Sequence, residues 1–309
     1  MSTAAPSPTI SIIVVNWNTR DLLAACIRSV QQTASSLVNE IIVVDNASSD
    51  DSCEMLRRDF PEVTLIENRE NVGFAGANNQ AARLAQGKWV FLLNSDAELQ
   101  AGALQALLTL AESAPRVGIV GAHLINPDGS FQASYSPFPS LWSEFLILSG
   151  LGRLCYGRWY PSHGPETANG PQKVDYVEGA ALLIRGETYL QMGGLDEGFF
   201  MYAEEVDLCR TFHENGWEVY YHPEARILHH GGGSSTGRRT AREGDLYRSR
   251  VRFFRKHYGS ASALALKTLI YFFTTFKIIA HGILRKISRG TRGRAVISLH
   301  DLSVKLKGV

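Results

Sequence analysis

Cysteine is scarce in this chain of 309 residues, and its four copies lie far apart without forming a Cys-x-x-Cys pair. This spacing argues against a zinc cluster and is typical of proteins from a reducing compartment. Residues 1–8 contain no basic stretch followed by an apolar core, so no signal peptide is predicted. Together these absences indicate a cytoplasmic location.

The common phosphate-binding loops are also missing. No Gly-x-Gly-x-x-Gly loop follows the first predicted strand, and the chain has no Gly-Lys-Ser/Thr loop. Dinucleotide-binding and ATP-hydrolysing proteins use these loops to hold phosphates, so both classes lose their main support. A sugar-1-phosphate nucleotidyltransferase would carry a Gly-rich, basic loop at the same place, where this chain has Asn16-Trp17-Asn18-Thr19.

No apolar run is long enough to cross a membrane without interruption. Region 263–285 is apolar, but Lys267 and Lys277 bracket only residues 268–276, and a spanning helix needs about 20 apolar residues. On a helical wheel Lys267, Thr274 and Lys277 fall on one stripe, with Leu, Ile and Phe opposite. The pattern predicts a basic amphipathic helix in the membrane interface. Packing on the protein body, or on a second copy in a homodimer, is the alternative.

The net charge of +1 hides a strong asymmetry. Residues 237–309 carry 17 Lys and Arg against 3 Asp and Glu, whereas residues 1–236 carry 14 against 27. A basic tail suits an anionic membrane surface, where each basic residue contributes about 1 kcal/mol. We therefore predict a globular domain at 1–255 and a basic, amphipathic membrane-associating or packing segment at 256–309.

Apolar runs alternate with helical patterns over the first hundred residues. Strands are predicted at 10–15, 40–45, 63–66 and 89–93, and helices at 22–30, 52–59 and 74–86. This alternation predicts an α/β fold with a mainly parallel central sheet flanked by helices. Farther on, strands are predicted at 117–121, 174–185 and 217–221 and a helix at 208–215, and residues 136–176 are predicted to form a shaped loop region.

Two of the predicted strands end in a carboxylate. Asp45 closes the second strand, and Asp96 follows the fourth through Asn94 and Ser95. Parallel strands bring their carboxyl ends to one edge, where open α/β folds bind ligands. We expect one carboxylate to contact a nucleotide base or ribose and the other to bind Mg²⁺ or Mn²⁺ with a diphosphate. The alternative is a purely structural role in turns or helix caps.

The segment from Asn71 to Asn78 joins the third strand to a helix. Its glycines permit close backbone approach, and a helix N-terminus favours phosphate. Later in the chain, Glu204 and Glu205 come shortly before the helix predicted at 208–215. One of them is a candidate general base for a hydroxyl nucleophile, although acidic residues in a first helical turn are also stabilised by the helix dipole alone.

His229 follows a predicted strand and precedes three glycines. Imidazole is a common ligand of Mn²⁺-like ions, and the glycines form a loop that can close over a substrate. Arg238 and Arg239 come next and are placed to hold phosphate oxygens if that loop folds back. A structural role for the histidine is the alternative.

Taken together and in order, these segments resemble the family-two glycosyltransferases, inverting enzymes that use nucleotide-sugars, and in particular the bacterial rhamnosyltransferase-like branch. The likeness covers roughly residues 10–255, and the matching segments are 14–18, 43–50, 71–75, 92–96, 177–181, 193–197, 204–208 and 229–234. It implies a GT-A type nucleotide-sugar-binding domain with a divalent cation, Mn²⁺ or Mg²⁺.

The resemblance also implies a role for each matching residue. Glu205 stands where the family's base lies, second in an acidic pair, and Glu204 is the alternative base. The implied donor-binding residues are Asn16, Asp45, Asn71, Gly73, Asn78, Asn94, Asp96, Arg238 and Arg239. The implied acceptor-binding residues are Gly179, Ala180 and Tyr202, and the cation ligands are Asp96 and His229.

The expected reaction is transfer of a sugar from dTDP-rhamnose or another UDP- or dTDP-sugar to a hydroxyl of a lipid-linked glycan. It would take place on the inner face of the cell membrane during surface polysaccharide assembly, with no nucleic acid as partner. Glu205 and Asn94 depart from the commonest family pattern. A non-catalytic nucleotide-sugar-binding partner is therefore the main alternative.

Overall fold

The computed structural model describes residues 9–33, 39–163, 170–232, 239–287 and 298–307. The chain divides into two compact units. The sheet unit comprises Met1–Phe138, Ser162–Phe200 and Glu204–Ser234, and the helical unit comprises Pro139–Pro161, Met201–Ala203 and Ser235–Val309.

The secondary structure begins with the predicted alternation of strands and helices. The strands are β1 (Ile10–Asn16), β2 (Asn39–Asp45), β3 (Thr64–Glu67), β4 (Trp89–Asn94), β5 (Ala97–Leu99), β6 (Val117–Ile125), β7 (Tyr135–Ser136), β8 (Gln172–Lys173), β9 (Tyr176–Val177), β10 (Ala181–Arg185) and β11 (Glu218–His229). The helices are α1 (Arg20–Thr33), α2 (Ser52–Asp59), α3 (Gly73–Ala82), α4 (Ala103–Ser113), α5 (Leu141–Ser149), α6 (Leu151–Tyr156), α7 (Gly186–Gln191), α8 (Glu204–Glu214), α9 (Arg239–Ile287) and α10 (Leu299–Lys305).

The large sheet has the order β3-β2-β1-β4-β10-β6-β11-β5, with β8 paired to β11. β1, β2, β3 and β4 run parallel, and β11 runs parallel to β6. β10 lies antiparallel between β4 and β6. The carboxyl ends of β1, β2, β4, β6 and β11 therefore meet at one edge, called the carboxyl edge below. The predicted mainly parallel sheet is confirmed.

Burial on both faces explains why the strands are almost continuously apolar. Val14, Val43 and Phe91 are fully buried in one core with the apolar faces of α1 and α4, which supply Leu23 and Leu107. β-branched and aromatic side chains suit this doubly covered environment. The core thus fixes the positions of the strand ends that carry the polar residues.

Three details differ from the sequence predictions. Residues 136–176 are not a loop region, since they contain α5, α6, β8 and the start of β9. The predicted strand at 174–185 is broken, because β9 pairs with β7 in a separate two-stranded sheet while β10 joins the large sheet. The break leaves residues 178–180 at the carboxyl edge. The third difference is that β5 was not predicted.

The helical unit is built around α9, which is kinked at Gly259 (φ 82°). The Arg250 guanidinium on α9 pairs with the buried Glu144 carboxylate of α5 at 2.9 Å. Burial raises the pKa of Glu144, although the charge of Arg250 opposes this shift. Beyond the kink, Leu266 and Ile270 of α9 are buried, as are Leu302 and Leu306 of α10 and its following turn.

The predicted helix at 263–285 is confirmed as the second part of α9, with a difference in orientation. Thr274 on its predicted polar stripe is buried, and the Lys267 ammonium donates to the Leu306 carbonyl at 2.6 Å. The apolar residues Leu264, Phe272 and Phe276 are exposed instead. By length and composition, Arg242–Ala280 could cross a membrane, the sole such helix in the described part of the chain.

Candidate functional site

The ends of β1 and β2 form a hydrogen-bonded polar cluster at the carboxyl edge. Asn16 and Asp45 are register partners, and the Asn16 amide donates to Asp45 Oδ2 at 2.8 Å. Asp45 Oδ1 accepts from the Ser48 N–H at 2.8 Å, and the Asn16 amide also donates to Ser48 Oγ. Asp45 is only 2% exposed. Because both oxygens of this buried carboxylate accept hydrogen bonds, Asp45 holds the loop after β2 in place.

The end of β4 is tied to the same cluster. The Thr19 hydroxyl donates to Asn16 Oδ1 at 2.7 Å and lies 2.8 Å from Ser95 Oγ. Ser95 sits in the turn between β4 and β5, directly before Asp96. The two predicted carboxylates, Asp45 and Asp96, are thus linked through buried polar side chains at one edge. The prediction that both strands deliver a carboxylate to this edge is met by the geometry.

His229 closes this edge from the end of β11. Its Nε2 lies 3.2 Å from Asp96 Oδ1 and 3.4 Å from the Asn94 amide. Its Nδ1 lies 2.5 Å from Gln132 Oε1. The Gln132 amide donates to Asn126 Oδ1 at 2.9 Å and to the His229 carbonyl at 3.3 Å. These two acceptors fix which end of the Gln132 amide faces the ring.

The orientation of Gln132 places a proton on His229 Nδ1, because Gln132 presents its oxygen to that nitrogen. His229 Nε2 lies 3.2 Å from Asp96 Oδ1, so a positive charge between the two atoms is favourable, whether it is a proton on Nε2 or a bound cation. In the neutral imidazole, Nε2 and the Asp96 carboxylate are one nitrogen donor and one oxygen donor within reach of the same cation.

A divalent cation fits this donor set when a diphosphate completes it. No cluster of three or more His, Cys, Asp or Glu side chains that could hold a metal occurs among the described residues. Mg²⁺ and Mn²⁺ accept such sparse sites, because one or two protein ligands combine with substrate phosphates and water. His230 does not take part, since its ring pairs with Glu98 at 3.0 Å.

Glu205 lies in the first turn of α8 beside Gly179. A Cβ built on Gly179 would meet Glu205 Cβ and Cγ at 3.5 Å and its carboxyl carbon at 3.6 Å. Burial raises the pKa of Glu205 to about 7, although hydrogen bonds from the N–H groups of Glu205 and Val206 oppose the shift. A carboxylate with a pKa near neutrality is matched to general-base catalysis.

Glu204 is placed differently from its neighbour, because successive side chains of a helix point about 100° apart. It is 5% exposed, and its Oε2 is buried without a hydrogen-bond partner. Burial, followed by the charge of Glu205, raises the pKa of Glu204 well above its usual range. Of the two candidate bases, only Glu205 is partly exposed.

A short series of contacts joins the glutamate to the carboxylate–imidazole pair. The Asn94 N–H donates to the Ala180 carbonyl at 3.0 Å, and Gly179 comes directly before Ala180. The Asn94 side chain reaches His229, and Gly179 faces Glu205. The structure therefore brings the predicted residues Asn16, Asp45, Asn94, Asp96, Gly179, Ala180, Glu205 and His229 to the carboxyl edge of the sheet unit.

The loop before α3 holds other predicted donor-binding residues, whose side chains bond locally. Asn71 Oδ1 accepts from the Gly73 N–H at 2.9 Å, and the Asn78 amide donates to the Phe74 carbonyl at 2.9 Å. Gly73 has a φ of 82°, and a Cβ there would lie 2.8 Å from the Phe200 carbonyl. This close approach and the positive φ explain why the first residue of α3 is a glycine.

The remaining predicted site residues are Tyr202, Arg238 and Arg239. Tyr202 belongs to the helical unit, where the Arg242 guanidinium lies 5.6 Å from its ring centroid. Arg238 and the side chain of Arg239 lie outside the described residues. Gln132, in contrast, was not predicted from the sequence to belong to the site. It follows a turn and precedes no apolar pattern, so only the folded structure reveals its contact with His229.

Family membership rests on comparison with known proteins. The sequence profile of glycosyl transferase family 2 matches residues 11–165, a little over half of the chain. The chain belongs to glycosyl transferase family 2. This family 2 chain is 32% identical over 216 residues to the N-acetylglucosaminyl-diphospho-decaprenol L-rhamnosyltransferase of Mycobacterium tuberculosis, and the alignment covers 64% of the chain and 68% of that enzyme. The predicted likeness to the rhamnosyltransferase-like branch is confirmed.

Solved structures agree on the fold. The mannosyltransferase PcManGT from Pyrobaculum calidifontis, in complex with GDP-Man and Mn²⁺, aligns with a TM-score of 0.58 at 17% identity over 98% of this chain and 81% of its own. GalNAc-T7 with UDP, GalNAc and Mn²⁺ aligns with a TM-score of 0.58 at 16% identity over 82% of this chain. The family 2 chain spans just under half of GalNAc-T7, 48%. The GT-A type fold is confirmed.

Proposed function

We propose that this family 2 glycosyltransferase is an inverting hexosyltransferase that moves a sugar from a UDP- or dTDP-sugar, such as dTDP-rhamnose, to a hydroxyl of a lipid-linked glycan. The name of the Mycobacterium tuberculosis relative supports a rhamnosyl donor and a polyprenyl-diphosphate-linked acceptor. The UDP and GDP-Man complexes of the two structural neighbours support a nucleotide donor.

The observation that carries this proposal is the series of contacts from His229 through Asn94 and Ala180 to Glu205. Glu205, Asp96 and His229 lie at the same edge of the sheet, which supports Glu205 as the base and the other two as ligands of a cation that holds the diphosphate. A binding protein needs no carboxylate beside the acceptor side of the site, whereas a displacement by a hydroxyl needs a proton acceptor there. The geometry thus favours catalysis over binding alone.

The reaction follows from these positions. The Glu205 carboxylate accepts the proton of the acceptor hydroxyl while that oxygen bonds to the anomeric carbon of the sugar. The bond from the anomeric carbon to the diphosphate oxygen breaks on the opposite face, and the nucleoside diphosphate leaves with the electron pair. One displacement inverts the anomeric configuration. Asn16 and Asp45 hold the nucleoside end of the donor.

Asp96 and His229 would hold a divalent cation against the donor diphosphate, with Mn²⁺ or Mg²⁺ as candidates. When bound, the cation supplies positive charge near the departing oxygens. The Mn²⁺ in both structural neighbours supports this assignment. The exposed apolar face of α9 and the basic residues after 237 further support peripheral attachment to the inner face of an anionic membrane.

The test is a calorimetric titration of the purified protein with UDP, dTDP and GDP, each with and without Mn²⁺. We expect one uracil or thymine nucleotide to bind in a Mn²⁺-dependent manner. Transfer from the matching nucleotide-sugar to a polyprenyl-diphosphate-linked sugar is then measured directly. Binding without transfer to any such acceptor would favour the non-catalytic alternative, and no binding at all would remove the donor site.

Gln132 gives a further prediction, because it holds the ring of His229. Gln132→Ala is expected to weaken Mn²⁺ binding in the presence of nucleotide roughly 10- to 100-fold, as for other residues that orient metal ligands. Gln132→Glu keeps an acceptor for Nδ1 and should retain most of the affinity. Calorimetric Mn²⁺ titration of both variants, with the exposed Gln105→Ala as control, checks this. Equal Mn²⁺ affinity in Gln132→Ala and wild type would contradict it.

A further inference from the structure

Exposed apolar side chains are concentrated in the helical unit. Ten of the fourteen large apolar side chains that are exposed in the described part of the chain belong to it. Five of these ten lie in or beside α9 and α10, and the other five lie on α5 and α6: Leu141, Trp142, Leu151, Leu154 and Tyr156. The α5–α6 segment therefore exposes as many apolar side chains as the C-terminal helices, although its sequence predicts a loop region.

The exposed residues of α5 and α9 share one continuous surface. The Trp142 ring stacks on Phe145 with centroids 5.5 Å apart, and Phe145 meets Phe273 of α9 edge-on at 5.7 Å. Phe272 lies 5.2 Å from Phe273. We call Trp142, Phe145, Phe272 and Phe273 the aromatic face. Its outer members, Trp142 and Phe272, are each 63% exposed.

Charge distinguishes the partners that this surface could take. The helical unit contains 19 Lys and Arg against 4 Asp and Glu, and one of the four acids, Glu144, is buried against Arg250. Arg153 and Arg158 on the α5–α6 segment are exposed. Two copies of so basic a unit would repel each other, whereas an anionic bilayer attracts it. Tryptophan and tyrosine beside arginine are also typical of the membrane interface.

We propose that the α5–α6 segment, residues 139–161, is a second membrane-inserting element that enters the anionic lipid interface together with α9. Trp142 and Leu154 are its inserting side chains, and Arg153 and Arg158 contact lipid headgroups. This inference rests on the proposed membrane partner and adds a specific contact to it.

The experiment uses the full chain and vesicles of phosphatidylglycerol and phosphatidylcholine in equal parts. Leu154 is 81% exposed, so Leu154→Glu should not affect folding. We expect it to weaken vesicle partitioning about tenfold or more. The matched control, Leu84→Glu, changes an exposed leucine of the sheet unit and should partition within about twofold of wild type.

A second measurement follows Trp142 itself. Brominated acyl chains should quench part of the tryptophan fluorescence of the vesicle-bound protein, and Trp142→Phe should remove most of that quenching. If wild type binds the vesicles, Leu154→Glu binds equally well and Trp142 is not quenched, the proposed insertion of the α5–α6 segment is wrong. The proposed attachment to a membrane is then kept. If wild type does not bind these vesicles, both proposals fail, and the nucleotide titration still tests the donor site separately.

Discussion

Glu205→Gln is expected to lower kcat roughly 10³-fold while leaving the affinity for the nucleotide nearly unchanged. The amide keeps the size of the side chain beside Gly179 but cannot accept the proton of the acceptor hydroxyl. The acceptor oxygen must then attack while still protonated. Steady-state kinetics together with a calorimetric nucleotide titration of the same protein check both halves of this expectation.

The dependence of kcat/KM on pH is a second test of Glu205 as the base. Glu205 must be ionised to act as a base, so kcat/KM of the wild type should rise with pH and level off above about 7. The Glu205→Gln variant should lose this rising limb. A residue with only a structural role would lower activity at every pH without removing the titration.

Two further glutamate variants test whether Glu205 or Glu204 is the base. Glu204→Gln tests the other candidate base and should retain kcat within about tenfold, because Glu204 is buried away from solvent. Glu214 lies at the opposite end of α8, where it pairs with Arg210. The control variant Glu214→Gln should therefore have the activity of the wild type. If Glu204→Gln loses turnover and Glu205→Gln keeps it, the two roles are reversed.

The raised pKa of Glu205 also has a stability consequence. Its usual value is 4.5, and in the folded protein it is about 7. Between these values the folded state binds more protons than the unfolded state, so the free energy of unfolding falls as pH rises through this window. Glu205→Gln should flatten that part of the stability curve, as measured by urea unfolding at several pH values.

Asp96→Ala is expected to abolish the Mn²⁺-dependent part of nucleotide binding and to lower kcat/KM by about 10²-fold or more. Asp96 is the carboxylate that faces His229 at 3.2 Å, and alanine leaves the imidazole as a single protein ligand. Titrations of the variant with nucleotide, with and without Mn²⁺, should give the same affinity.

The control for this variant is Asp59→Ala. Asp59 is an exposed residue at the last position of α2, where its Oδ1 accepts from Arg58, so the substitution removes a carboxylate from the same unit at a distance from the carboxyl edge. It should keep full Mn²⁺ dependence. A Mn²⁺-dependent gain in nucleotide affinity that survives in Asp96→Ala would contradict the placement of the cation. Thermal unfolding of both variants shows whether either has lost its fold.

The polar residues at the ends of β1, β2 and β4 were largely predictable from the sequence. Asn16 and Asp45 are the last residues of β1 and β2, and Asp96 follows the last residue of β4 by two positions. The apolar runs of these strands are plain in the sequence, and the parallel sheet brings such strand ends together. The local sequence pattern was therefore nearly sufficient to predict that these residues lie at one edge of the sheet.

The rest depended on contacts between distant segments. Gln132 contacts His229 across 97 residues of chain. Gly179 lies beside Glu205 in a break between β9 and β10 for which the sequence offers only a single glycine as a signal. The helices α5 and α6 were hidden by glycines and aromatic residues that suggested a loop. The exposure of the apolar side of α9 likewise depends on which face packs on α10, which a helical wheel does not decide.

The reversed direction of β10 determines which of its loops lies at the site. The strands β1, β2, β4 and β11 each present to the site the loop that follows them, but β10 presents the loop that precedes it. Gly179 therefore sits on a segment anchored at one end by β9, in the small sheet, and at the other by Asn94. Changes in residues 170–180 would alter the surroundings of the proposed base, Glu205, without altering β1 or β2, which carry the proposed nucleotide-binding residues Asn16 and Asp45. Under the proposed function, this separation would allow the same nucleotide-binding residues to be combined with different acceptors.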